Sequence, residues 1–392
     1  TGEMNYSDFF KMIPEASLVA ILIVLFVADF ATAKAEERKW FNPLASILLL
    51  LNTFVCLYPM DTQHLFGDMY VTSSAVNVMK AILSMGTFIV VVQSRTWAAK
   101  TGKEAEFYML IVSTLLGMFA MMSAGNFVMF FLGLEMASVP LACAVAFDMY
   151  RKNSAEAAAK FILTATFSSG VMLYGISFLY GQFGTLYFED IAVKMQATPL
   201  TVIGLVFFFS GLGFKISLVP FHFWTADTYQ GAPTTVTGYL SVISKGAAAF
   251  TLLSILFHVF GGMMEYWHVL LMIVVVLSIT IANLFAVRQN ELKRFMAFSS
   301  ISQAGYIMLA AIGNNWANSV AALSYYVLIY VVANMAVFTI ISVVEQNNGG
   351  KTDISDYNGF YQTNPRLSFL MTLAMFSLGG IPPFAGDRKS VV

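Results

Sequence analysis

Three ionisable residues stand inside long apolar stretches: Glu135 in FFLGLEMASVPL, Lys215 in GLGFKISLVPF and Lys245 in GYLSVISKGAAAF. Each has roughly seven or more residues of its own stretch on either side, too far from an end for the head group to reach an interface easily. A charge at the centre of a bilayer costs at least about 2.5–3.5 kcal/mol, and packing an apolar bundle does not require it. A lysine switched between a desolvated and a carboxylate-paired state changes its hold on a proton by roughly 5.5 kcal/mol. Moving one charge across 100 mV costs about 2.3 kcal/mol, so such a switch could load and release a proton against a membrane potential. Glu135 is the candidate carboxylate. Pro140, five residues on, frees the carbonyl of Met136 within a turn of it and could admit water. Lys215 precedes Pro220, and Lys245 lies on the next apolar stretch, at depths of roughly 10 Å and roughly 17 Å from the loop between them. Ser210, Ser217, Ser241 and Ser244 are near enough in sequence to hold ordered water. The bland alternative is a static buried ion pair between Glu135 and either lysine that fixes helix register.

Other polar residues carry weaker signals. Lys80 is expected to snorkel to the interface. Lys160 begins an apolar stretch and reads as an interface anchor or a point of proton entry. His222, Asp227 and Tyr229 follow the Pro220 break and either cap helix ends or line a cytoplasmic mouth. Cys56 and Cys143 are too few for an iron–sulfur cluster, which needs about four thiolates. The histidines show no metal spacing, and no glycine-rich nucleotide loop appears.

These residues are positioned by apolar segments. Of 392 residues, 58% are apolar and only 11% charged, with a net charge of −1 from 21 basic and 22 acidic residues. That is too few charges to coat soluble domains, and a nucleic-acid partner is excluded by the missing basic excess. Stretches of about 20 residues, the span of a bilayer core, fall near Pro14–Ala33, Pro43–Tyr58, Ser73–Val92, Phe107–Ser123, Phe127–Phe147, Ala157–Gly181, Pro199–Phe221, Thr234–Phe257, Trp267–Val287, Phe295–Ile312 and Ser319–Val344. A twelfth begins near Leu367. The first lacks the basic leader and cleavage site of a signal peptide. The fold class is therefore an all-α polytopic membrane protein, one transmembrane domain with about eleven complete helices and part of a twelfth. Lys34, Arg38 and Lys39, then Arg95, Lys100 and Lys103, then Arg151 and Lys152, then Arg288, Lys293 and Arg294, and finally Lys351 and Arg366 fall on one side; Lys11 and Lys194 fall on the other. Basic loops face the cytoplasm, so the N-terminus is expected on the non-cytoplasmic side. The loop after the seventh span has no Lys or Arg, and segment length alone assigns it. Span 7, with Gly211, Gly213 and Pro220, and span 12, with Gly379, Gly380, Pro382 and Pro383, look interrupted. Two broken spans five apart suggest an internal repeat around a transport site; two ordinary proline kinks would read the same.

The stretch KISLVPFHFWTADTYQGAPTTVTGYLSVISKGAAAF, with FLGLEMASVPL, NELKRFMAFSSISQAGY and SLGGIPPFAG in order, resembles the subunit N family of antiporter-like membrane subunits of proton-pumping NADH–quinone oxidoreductase, respiratory complex I. The resemblance runs from about Tyr6 to Gly386. Sister subunits more often read LHxWLPDAH and APTPVS. It implies a fold of fourteen transmembrane helices with two inverted five-helix repeats, here about 107–257 and an incomplete 267–392, each with one broken helix. It implies that Glu135 matches the glutamate of helix 5, Lys215 the lysine of broken helix 7, and Lys245 the connecting lysine of helix 8. Ala226 stands where the family often has proline. After Gly386 the chain reads DRKSVV and stops, where the family continues with an aromatic-rich Gly-Lys segment, a lysine on helix 12 and two more helices. Lys389 is out of register and is not assigned. With Thr1 in place of an initiator methionine, a partial or frame-shifted reading frame is expected.

The resemblance implies that NADH, FMN, iron–sulfur clusters and quinone are handled by other subunits, with no cofactor on this chain. Its partners would be neighbouring antiporter-like subunits, peripheral subunits and the lipid of a bacterial inner membrane. Proton translocation through Glu135, Lys215 and Lys245 is the function expected. A cation/proton antiporter or membrane-bound hydrogenase subunit of the same superfamily, and a structural scaffold with static ion pairs, remain as alternatives. Neighbouring genes separate the first pair; neutral replacements of Glu135 and Lys215 test the last.

Overall fold

A computed structural model describes residues 5–32 and 38–387. Thr1, Lys34 and Lys389 lie outside the described residues. The chain is a bundle of long apolar helices: α1 (Ile13–Ala31), α2 (Phe41–Cys56), α3 (Ser74–Gln93), α4 (Glu104–Met122), α5 (Phe127–Val145), α6 (Lys152–Phe183), α7 (Pro199–Ile216), α8 (Thr234–His258), α9 (Gly261–Ala286), α10 (Leu292–Ile312), α11 (Trp316–Asn347) and α12 (Pro365–Gly379). Among the described residues ten of these are long and apolar enough to cross a membrane, all but α2 and α12. α2 is apolar and has 16 residues, the same length as the stretch Pro43–Tyr58 read from the sequence but displaced two residues toward the N-terminus. Pro59 follows shortly after, and the residue before a proline is driven out of helical backbone.

Local chemistry sets the helix ends. Ser73, Asn126 and Asn315 accept backbone N–H groups of the first turns of α3, α5 and α11. Thr198 and Thr201 close a reciprocal capping box at α7. α6 and α11 each run to 32 residues, well beyond the expected apolar limits, because their flanks are good helix formers and a helix need not stop where lipid does. Lys160 therefore sits in the third turn of α6, not at its start. Between α2 and α3 lies a feature outside the all-helical expectation. It is a two-stranded hairpin, β1 (Gln63–Leu65) and β2 (Tyr70–Thr72), paired antiparallel with Gln63 opposite Thr72. Phe66, Gly67 and Asp68 all take positive φ at its turn, a path that glycine eases.

α8 is the centre of the bundle. Of its apolar window 83% is buried, against 28% for α1 and 33% for α9, which leaves those two for the periphery. Its helix widens to π geometry over Leu240–Ser244, directly before Lys245. α7 stops at Ile216, and Ser217 takes a left-handed conformation. A short helix, Phe223–Gly231, resumes after Pro220. α12 likewise stops at Gly379, with Gly380 left-handed and Pro382 and Pro383 in the irregular segment beyond. Pro140, by contrast, is carried inside an unbroken α5.

α4 and α5 pack backbone to backbone through glycine. A Cβ added at Gly133 would stand 2.4 Å from the amide nitrogen of Met121, and one at Gly117 would stand 2.4 Å from that of Ala137. Small residues at such crossings let membrane helices approach closely. Gly133→Ala should lower stability by about 1–3 kcal/mol, as overpacking does. Gly170→Ala, in α6 with nothing within 4 Å of the new methyl, should be neutral or stabilising. Thermal unfolding of the purified variants in detergent measures both, and equal midpoints would refute the packing argument.

Candidate functional site

The three intramembrane charges converge on the faces of α5, α7 and α8, and each finds a hydroxyl. Lys215, in the last turn of α7, donates to Ser138 Oγ on α5 at 2.7 Å. Its ammonium lies 5.9 Å from the centre of the Phe161 ring, within cation–π range. Ser138 is three residues from Glu135, so the two share a helix face, and its own hydroxyl donates back to the Leu134 carbonyl. Glu135 is half-buried and accepts from Ser169 on α6 at 2.6 Å. Lys245, 1% exposed, donates to Ser300 Oγ on α10 at 2.5 Å. Among the described residues neither lysine forms an ion pair with Glu135. The arrangement therefore differs from a closed static pair: each charge rests on a neutral hydroxyl that can take or give a hydrogen bond.

A cavity of about 20 Å³ lies beside the Lys215 amine. It is lined by Lys215, Ser138, Phe161 and Trp224 on one side and by Ser244 and Ala248 of α8 on the other. It is large enough for about one water. Of the four serines singled out from the sequence, Ser244 alone lines it. Ser210 bonds back to the Val206 carbonyl, Ser217 accepts from Thr225, and Ser241 accepts from Asn334. Ser138, Ser169 and Ser300 make the contacts instead. Ser138 was detectable as the hydroxyl one turn from Glu135. Ser169 and Ser300 come from helices remote in sequence and carried no local signal.

Ser300 is a junction. Besides Lys245 it meets the Tyr229 hydroxyl at 3.4 Å and the Ser241 carbonyl at 3.5 Å. Tyr229 is fully buried beneath Lys245, which corrects its expected place at a helix cap or mouth. One turn along α10, Gln303 donates to the Leu378 carbonyl of α12 at 2.8 Å and accepts from Tyr326. Polar groups thus continue from Lys245 to the last turn before the α12 break.

At one end of the bundle Asp227 joins two cations. Lys160 of α6 lies at 2.8 Å and Arg294 of α10 at 2.6 Å, with Glu156 at 2.7 Å from Lys160. Lys160 and Asp227 are therefore brought together. His222 is not part of that cluster: it is buried, stacked on Phe223, and its Nδ1 has no partner. Two basic residues depart from their expected exposure. Lys293, expected in a loop, is 2% exposed and donates to the Ala232 carbonyl at 2.6 Å, because the Glu291 cap starts α10 just before it. Lys80, expected to snorkel, is fully buried and pairs with Glu15 of α1 at 2.6 Å; a partner supplied by a distant helix removes the need to reach water.

The family described as NADH:quinone oxidoreductase/Mrp antiporter, transmembrane, matches residues 124–388 of this chain. The chain belongs to this family. It is 57% identical over 386 residues to the NADH-quinone oxidoreductase subunit N of Phocaeicola vulgatus, covering 98% of this chain and 81% of that relative. A chain of respiratory complex I from Thermus thermophilus superposes with a TM-score of 0.79 at 28% identity, covering 96% of this chain and 81% of that one. A chain of the Mrp complex from a Dietzia species shares the fold, with a TM-score of 0.79 at 20% identity over 97% of this chain and 74% of that one. The family match takes in Glu135, Lys160, Lys215, Asp227, Lys245 and both interruptions. It leaves Glu15 and Lys80 outside.

Ser300→Ala removes the hydroxyl under the Lys245 ammonium. It should lower stability by about 1.5–3 kcal/mol, the worth of a hydrogen bond to a charged group. Ser210→Ala, whose hydroxyl only bonds back along its own helix, should change it by less than about 0.5 kcal/mol. Thermal unfolding in detergent separates them, and equal losses would contradict the geometry.

Proposed function

We infer that this chain is a proton-translocating membrane subunit of an NADH–quinone oxidoreductase, with NADH, FMN, iron–sulfur clusters and quinone handled by other subunits. The observation that carries the reading is two buried amines on neutral hydroxyls, Lys215 beside a cavity with room for one water and Lys245 next in sequence to Ser244 on that cavity's far wall, inside a chain of this family. Neighbouring antiporter-like subunits and peripheral subunits are its partners.

In this reading Glu135 sets the proton affinity of Lys215. When the carboxylate is near and ionised, the ammonium form of Lys215 is favoured; when its influence is withdrawn, the desolvated amine releases its proton. The released proton crosses the cavity beside Ser244 to Lys245, whose contact with Ser300 leads on to Gln303 and α12. Asp227, flanked by Lys160 and Arg294, lies at the mouth, and His222 sits between mouth and interior. The interruptions at Pro220 and at Pro382 and Pro383 place irregular backbone beside the path the protons take. They mark corresponding positions in two inverted repeats, about 107–257 and 267–392. The protein is placed in a bacterial inner membrane with its N-terminus on the non-cytoplasmic side, supported by the basic loops after α3, α5 and α9.

In the assembled complex, Lys215→Ala should cut NADH-driven proton pumping at least about tenfold, the equivalent of about 1.4 kcal/mol, while assembly is retained. Unchanged pumping would sink the relay. Cysteine labelling of intact cells checks orientation: a thiol at Lys194 should react with an impermeant reagent and one at Lys103 should not, and the reverse pattern inverts the topology.

A further inference from the structure

A second acid–amine pair lies in the bundle, on helices the relay does not use. Glu15 of α1 and Lys80 of α3 meet at 2.6 Å with side chains 6% and 0% exposed. Lys80 also donates to the Tyr70 hydroxyl of β2 at 3.0 Å. The ammonium lies 5.2 Å from the Tyr70 ring centre and 5.7 Å from that of Phe119 on α4. Glu15 Oε1 takes the ammonium, but the buried Oε2 has no hydrogen-bond partner.

That asymmetry leaves Glu15 with one buried oxygen that the ion pair does not use. A buried carboxylate kept only for architecture satisfies both its oxygens, since an unpaired charged acceptor is costly. The lysine, in contrast, has support that does not depend on the carboxylate: a hydroxyl and two aromatic faces. Neutralising Glu15 would therefore leave Lys80 held, whereas neutralising Lys80 would strand Glu15. The polar layer beneath fixes the carboxylate's helix. Asn52 of α2 donates to the Pro14 carbonyl and to Ser17, and accepts from Ser84 of α3 at 2.7 Å. The titratable groups facing the pair are Tyr70 from the hairpin and Cys56 from α2, whose thiol bonds Asn52. On the turn before α1, Asp8 and Lys11 pair with each other at 3.3 Å. A cavity of about 410 Å³ opens at the hairpin, lined among others by His64, Asp68, Ser73, Val76 and Met122. Val76 and Met122 lie one turn from Lys80 and Phe119 respectively, and Val71 lies next to Tyr70 in β2, so the cavity wall adjoins the segments that hold the pair.

We propose that Glu15, Lys80 and Tyr70 form a second proton-binding site, separate from the relay, in which Glu15 Oε2 takes one proton from water on the hairpin face. The step forms one O–H bond on Glu15 and breaks one in a hydronium ion, which leaves as neutral water; the carboxylate is neutralised, and Lys80 keeps its proton and its contacts with Tyr70. The site stands on α1, α3 and the hairpin, before the residues the family match covers. It is independent of the relay reading, because loss of pumping in Lys215→Ala neither requires nor removes it.

Infrared difference spectroscopy of the full chain in its complex, titrated with pH, tests the proposal. A carboxylic-acid C=O band should grow as pH falls, persist in Glu135→Gln and vanish in Glu15→Gln. In Lys80→Met, where the carboxyl has lost its counter-charge, the band should be present at every pH. Identical difference spectra for the wild type and E15Q would overturn the site. Should E15Q or K80M fail to accumulate, Tyr70→Phe in the Glu135→Gln background keeps both charges. A displaced band midpoint there supports the site, and an unmoved one overturns it.

Discussion

Backbone amides released inside a bilayer must find partners within the protein, since lipid offers none. The interruption of α7 shows how this chain meets that demand. Leu218 N–H turns back to the Gly213 carbonyl at 2.9 Å, and Val219 N–H donates to Ser278 Oγ of α9 at 2.9 Å. The Trp224 indole returns to the Phe214 carbonyl at 3.0 Å. The break is thereby fastened to a neighbouring helix and to both of its own ends. Lys215 stands in the last helical turn before it, so the amine is anchored next to a segment that is irregular yet tied to its surroundings.

The same rule governs the charges. Lys215, Lys245, Lys293 and Lys80 each end on an oxygen from another element: Ser138, Ser300, the Ala232 carbonyl and Glu15. Only Lys80 among them ends on a carboxylate. Resting an ammonium on a hydroxyl is weaker than pairing it with an anion. For a lysine meant to give up its proton that weakness is useful, because an adjacent anion favours the ammonium form.

Much of this was legible in the sequence. Spans emerge because a bilayer imposes about twenty apolar residues per crossing, and Glu135, Lys215 and Lys245 stand out because nothing apolar accounts for them. Glycine and proline flagged Pro220 and the Pro382–Pro383 pair. What stayed hidden depends on tertiary contacts. Glu15 sits in the first turn of α1, where an acid looks like ordinary complement to the helix dipole, and only the fold delivers Lys80 to it. Ser169 and Ser300 are unremarkable until α6 and α10 pack against their partners. The hairpin's strands are three residues each, too short to alternate visibly. Lys293 was misplaced because a basic residue beside Arg294 reads as a loop, though one of the two turns inward and the other out.

The widened turn of α8 gives the helix two working faces at adjacent residues. Successive side chains on a helix diverge by about 100°, and here Ser244 borders the small chamber beside Lys215 while Lys245 turns toward Ser300. The helix thus presents a hydroxyl to that chamber and an amine to α10 from neighbouring positions, and its π-wound stretch ends at this pair. A one-residue change of register there would exchange the hydroxyl and the amine between the two faces, so the pitch of a single turn decides which group meets the chamber.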